Sequence, residues 1–221
     1  MNRRIVILTL VLVCLASLAQ AQQRGGRGYH RTGQWDFTFQ TRYTTEQTFD
    51  GDHGTGAKLH DSLGWGFGFN YHLNERFDLG AAFTWRQVPY DATAVDVNDP
   101  TNLLHYNGKL SVSSAGLTAN WNPLDGPLTP YVTGSAAWTL IDTNIFAGWG
   151  NGCWWDYWWG PICGPVPYTY GKNTGSYNLG VGVRYELTET FFIRAGWEHG
   201  WLSLDRYSGG HMIRIDLGLI N

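Results

Sequence analysis

Several stretches of the chain alternate bulky apolar residues with small or polar ones at a period of two. The clearest is Leu63-Gly64-Trp65-Gly66-Phe67-Gly68-Phe69-Asn70-Tyr71-His72. Side chains of a strand point to opposite faces in turn. One face here carries Leu63, Trp65, Phe67, Phe69 and Tyr71, and the other carries Gly64, Gly66, Gly68, Asn70 and His72. A soluble protein would bury the bulky face. A membrane barrel turns it to lipid and fills its inside with small and polar groups.

The same period predicts eight strands, over 34–43, 63–72, 76–88, 109–121, 129–141, 176–187, 191–201 and 211–221. The fourth is the weakest. Leu117, Ala119 and Trp121 share a face, but Leu110 and Val112 fall out of phase with them, and a bulge near Ser113-Ser114 would restore the register. The gaps run long, short, long, short, long, short, long. An even strand count with that order is the pattern of an all-β, eight-stranded antiparallel up-and-down transmembrane barrel, with short periplasmic turns and long extracellular loops. The longest loop is expected over 142–175.

Charge separates a membrane barrel from a lipocalin-like soluble one. Asp36, Arg42, Asp78, Arg86, Arg184, Glu186, Arg194, Glu198, Arg214 and Asp216 all share the face that holds the glycines. The opposite face is almost free of charge through the strand middles. A Lys or Arg facing lipid at the midplane costs about 2–4 kcal/mol. Five acids and five bases inside can pair, which suits a plugged polar interior. Eight strands leave a lumen just wide enough for side chains to fill.

The start reads as a signal peptide over 1–21: Arg3 and Arg4, an apolar run over 5–18, then Ala19-Gln20-Ala21 for cleavage. That run is too short to span a bilayer comfortably. Residues 22–33 read as a flexible periplasmic leader, and 34–221 as the barrel. Removing the signal takes two of the 15 basic residues and none of the 18 acids. No basic block remains that would suit a nucleic-acid partner. Cys14 leaves with the signal, so Cys153 and Cys163 remain, and in an exported chain they are expected to form one disulfide.

With these features the chain resembles the OmpA-like family of eight-stranded outer-membrane barrels. The matching stretches are Gly64-Trp65-Gly66-Phe67-Gly68-Phe69-Asn70-Tyr71, Pro130-Tyr131-Val132-Thr133-Gly134, Asn178-Leu179-Gly180-Val181-Gly182-Val183-Arg184-Tyr185 and the last strand. The resemblance implies an integral protein of the outer membrane of a Gram-negative bacterium, seated in lipid and lipopolysaccharide and inserted by the barrel assembly machinery. Members of the family are structural, adhesive, pore-forming or uncharacterised. Such barrels usually end on an aromatic residue; this chain ends Leu219-Ile220-Asn221, and no periplasmic peptidoglycan-binding domain is expected after the last strand.

Between the two cysteines the chain reads Cys153-Trp154-Trp155-Asp156-Tyr157-Trp158-Trp159-Gly160-Pro161-Ile162-Cys163. With Trp149, the loop holds five of the twelve tryptophans. A disulfide here would pre-order them. Two readings stand: a recognition surface for carbohydrate or protein, or a hydrophobic lid or interfacial anchor.

Candidate chemistry is thin. Glu198, His199 and Ser203 offer an acid, a base and a hydroxyl near one rim, as a lipid hydrolase would need, but phase sends His199 to the lipid side. Asp50, Asp52 and His53, and Asp96, Asn98 and Asp99, are oxygen-rich yet lack full calcium-ligand spacing. No cofactor motif is present. The expectation is a non-catalytic barrel with a structural or surface-interaction role. A narrow pore or transporter for small solutes and a lipid-modifying enzyme are the alternatives.

Overall fold

The computed structural model describes residues 30–50, 55–95, 103–156, 158, 160–203 and 209–221. The described chain is all β: β1 Trp35–Thr44, β2 Gln47–Asp50, β3 Gly56–Leu59, β4 Ser62–His72, β5 Phe77–Val95, β6 Leu103–Trp121, β7 Leu128–Asp156, β8 Gly160–Glu186, β9 Phe191–Leu202 and β10 Gly210–Ile220. Eight of these close a barrel. Each pairs antiparallel with its neighbour from β4 to β10, and β1 pairs with both β4 and β10. β2 and β3 form a small extra hairpin that adds to the upper end of β5. Closure leaves the crossing strands no unpaired edge, which lipid would not tolerate.

The two faces are inverted relative to a soluble protein. Trp65, Phe67, Phe69 and Val181 are 50%, 50%, 39% and 54% exposed, whereas Arg184 and Arg214 are 0% and 2% exposed. A lipocalin-like core would have required the reverse. β10 alternates buried and exposed without a break. Aromatic residues pair across strands on the outside: Trp35 with Tyr71 and Trp65 with Trp85, each with ring centroids 5.0 Å apart. The register puts Trp35, Tyr71, Phe77 and Trp121 toward the short turns and Trp65, Trp85, Trp138 and Trp201 toward the long hairpins. Two such belts mark the borders of the apolar band.

Two sequence expectations need correction. The long connections are mostly strand. The β5–β6 ladder continues to Val95↔Leu103, and β7–β8 continues to Asp156↔Gly160, through the region expected to be a loop over 142–175. Pro161, Pro165 and Pro167 argue against a central strand, but a two-stranded arm has only edges, where proline is tolerated. The bulge near Ser113-Ser114 is absent, and both neighbouring ladders run through these residues in register. Leu110 and Val112 instead face inward, where Val112 is buried near Val88 at the mouth. The irregularity lies farther out, between Asp142 and Gly148, where Asn144 takes a left-handed φ of 56°.

The leader expected over 22–33 falls only partly within the described residues. Its residues 22–29, and the signal segment 1–21, lie outside the described residues. Its last part is held in place: Arg31 is 2% exposed and reaches into the short-turn end of the barrel.

Candidate functional site

The ten charged residues expected on the inner face all project into the lumen, in two layers set by strand register. The layer nearest the short turns is built around Arg184. Its Nη1 and Nη2 donate to the Asp36 carboxylate and its Nε donates to Glu186 at 3.0 Å. Arg31 donates to the same Glu186 oxygen at 2.6 Å and to the Gly126 carbonyl at 2.8 Å. Asp78 accepts from Asn120 and Asn122. His72 Nε2 lies 3.0 Å from Asp36 Oδ2.

The next layer is built around Arg214. It donates to Asp216 at 2.6–2.9 Å and to Glu198 at 2.9 Å. Arg194 Nε stands 3.3 Å from Asp216, and Arg42 Nη1 stands 3.8 Å from Glu198. Arg86 donates to the Thr44 hydroxyl at 2.6 Å. Between the layers sits Phe192, fully buried, with the Arg184 guanidinium 3.7 Å from its ring centre and that of Arg194 5.1 Å away. A cation over an aromatic face is favourable, the more so away from water. Gly218 makes room for this ring, since a Cβ there would overlap it.

Together these groups form a plug across the inner half of the barrel. Sequence reasoning left Arg31, His72 and Phe192 out of it. Phe192 and His72 carried a signal, their inward phase; Arg31 carried none, because it lies before the first periodic strand.

Above the plug the lumen opens into a chamber in its outer half. It offers about 80 Å³ to the centres of water-sized molecules, room for several waters. Its walls include Gly, Ala, Ser and Thr from all eight barrel strands, and the charged residues among its described lining are Arg42 and Arg86. Val88, Leu110, Val112, Ile141 and Leu202 narrow the mouth above it.

Beyond the rim, β7 and β8 continue as a two-stranded arm. Cys153 and Cys163 stand directly opposite each other and are joined by a disulfide. Trp149, Trp155 and Trp158 are 67%, 77% and 82% exposed. Tyr157, Trp159 and the side chain of Trp154 lie outside the described residues. From Phe146 to the tip, among the described residues, the two strands pair only with each other. At the arm's base the Thr169 hydroxyl and the Asn144 N–H both donate to Asp142, which holds its carboxyl below the ordinary value of 3.8.

The remaining candidates do not assemble. Glu198 points inward to Arg214, while His199 points outward, with its Nδ1 3.1 Å from His211 Nδ1 and its ring against Trp201. Ser203 is engaged through its backbone with Thr174 and Gly175. The three are not brought together. Asp52, His53, Asp96, Asn98, Asp99 and the side chain of Asp50 lie outside the described residues.

The model of the outer membrane protein beta-barrel domain family matches residues 5–219. Among solved structures, the outer membrane protein OprG of Pseudomonas aeruginosa superposes with a TM-score of 0.60 at 12% identity, over 87% of this chain and 97% of that one. The N-terminal β-barrel domain of P. aeruginosa OprF gives 0.45 at 16% identity, over 83% and 97%. Ail of Yersinia pestis, solved with the heparin analogue sucrose octasulfate, gives 0.48 at 13% identity, over 86% and 99%. A search of curated proteins finds no match. At these identities the likeness to OprG concerns the fold alone.

Proposed function

The chain belongs to the outer membrane protein beta-barrel domain family, and from that premise we propose that it is a non-catalytic barrel with a surface-interaction role. It reaches the outer membrane after losing residues 1–21, with the short turns in the periplasm and the long hairpins outside the cell. The plugged half fixes the barrel as a scaffold, and the β7–β8 arm is its contact surface.

One observation carries this reading. Three tryptophans stand exposed on a disulfide-closed arm whose two strands, among the described residues, pair with each other beyond its base. At about 3.3 Å per strand residue, the stretch from Asp142 to the tip extends tens of ångströms from the rim. Solvent-exposed indoles are costly unless something covers them, and when pre-ordered they lose little entropy on binding. An arm whose described strands pair with each other beyond the barrel ladders fits a recognition surface better than a lid. Its chemistry suits the flat apolar faces of sugars or an aromatic-accepting protein groove.

The test is a carbohydrate array probed with the refolded full chain, beside Trp155→Ala/Trp158→Ala and Cys153→Ser/Cys163→Ser. Binding should fall more than about tenfold in the tryptophan variant, as for other aromatic hot spots, and by less in the cysteine variant. Equal binding by all three would refute the arm as the contact surface.

A further inference from the structure

We propose that His199 and His211 form a binding site for a divalent transition-metal ion on the outer face of the barrel, at its long-hairpin end. Strand register puts the two directly opposite each other on β9 and β10. The Thr45 N–H donates to the His211 carbonyl, so the backbone groups of His211 point toward β1 and away from β9. His199 and His211 are therefore a non-hydrogen-bonded pair, the kind in which cross-strand side chains lie closest. Their Nδ1 atoms are 3.1 Å apart.

That spacing fits two neighbouring ligands of one ion. Nitrogens so placed, each about 2.0–2.1 Å from a metal, subtend roughly 100° at it, between the square and the tetrahedral angle. Neutral imidazole is the commonest metal ligand among side chains, and it suits zinc, copper and nickel. The χ2 torsion of histidine is soft, so both lone pairs can turn to one point while the backbone stays fixed.

The surroundings hold the two rings together. Trp197 stacks on His211 with ring centroids 5.3 Å apart, and Trp201 meets His199 edge-on at 4.5 Å. At Gly209, whose φ is +94°, a Cβ would lie 2.6 Å from His199 Nε2. Glycine lets the chain pass that close in that conformation. His199 is thus walled on its Nε2 side and presents Nδ1 to His211. His211 is exposed and His199 half-buried, so an ion can reach them from water. Among the described residues no third His, Cys, Asp or Glu completes the pair. The remaining coordination positions fall to water or to an oxygen ligand of another molecule. A bare imidazole–imidazole hydrogen bond is the competing account, and it predicts no uptake of metal.

The test is long-range proton–nitrogen NMR of the refolded, untagged full chain, labelled at histidine and held in detergent micelles. It is titrated with zinc chloride and separately with magnesium chloride. Zinc should shift the Nδ1 signals of His199 and His211 together and saturate at one ion per chain. Magnesium, which prefers oxygen ligands, should shift neither. His211→Gln should weaken zinc binding more than about tenfold, since even an outer partner of a metal ligand is worth that much. If that variant does not refold, judged by heat-modifiable migration, His199→Gln takes its place with the same expected loss. His60 is the rival, standing 2.7 Å from Asp91 and 3.7 Å from Glu46, and His60→Gln should leave the binding unchanged. No shift with zinc, shifts confined to other histidines, shifts that magnesium reproduces or that do not saturate, or binding that survives loss of either member of the pair would overturn the proposal.

Discussion

At the scale of single residues, the lumen is held by partners that cannot be removed singly without cost. Arg184 serves Asp36 and Glu186 at once, with all three buried. Removing one partner of a buried ion pair costs about 3–5 kcal/mol. Arg184→Met should lower stability by about that amount in urea-unfolding titrations of the refolded barrel. Adding Asp36→Asn should recover part of the loss, because one stranded charge is then gone. A loss under about 1 kcal/mol would mean the pair is not desolvated as the structure has it. A second residue-scale test uses shape. Gly218→Val should clash with Phe192 and destabilise, by about 1–3 kcal/mol for overpacking, and Phe192→Leu should relieve it in a double-mutant cycle. Additive effects would show that the two do not share the space.

At the scale of elements, the membrane-crossing strands were legible in the sequence because lipid on one side and a polar lumen on the other impose strict alternation. Leu63 to Phe69 and Ile213 to Leu219 show it directly. Above the rim that constraint ends, and with it the signal. The arm over 142–175 has water on both faces, carries prolines, and still forms a ladder because its two strands leave the barrel side by side. Leu110 and Val112 misled for a related reason. An inward apolar residue is anomalous in the plug but ordinary at the mouth, where Val88 also lies. The paired charges of the plug were readable from phase, whereas Arg31 was not, since only the closed barrel brings it to Glu186. One prediction belongs to the arm's base. The Asp142 carboxyl sits below 3.8 in the folded arm. Its contribution is therefore present above the unfolded value and lost as the pH falls through the folded one. Amide exchange near Asn144 and Thr169, corrected for intrinsic rates, should quicken as the pH drops below about 4. Asp142→Asn should remove that dependence, and an equal response in the variant would dismiss the role.

At the scale of the whole molecule, the charged layers and Phe192 lie across the barrel between the chamber and the periplasmic end. Planar bilayers containing the refolded chain should stay silent apart from rare brief openings, and stable conductance steps would favour the pore reading. The folded barrel should also run faster on a detergent gel unheated than boiled. Both expectations descend from one arrangement, in which the oily face of every crossing strand looks to lipid. Paramagnetic broadening by doxyl-labelled lipid in nanodiscs, read at methyl groups of the unaltered chain, tests that arrangement most directly. Leu63, Val132, Leu179, Val181, Ile213, Ile215 and Leu217, all outward in the structure, should be broadened, and Val88, Val112 and Met212, all buried, should be spared. The opposite pattern, or equal broadening of both sets, would contradict it.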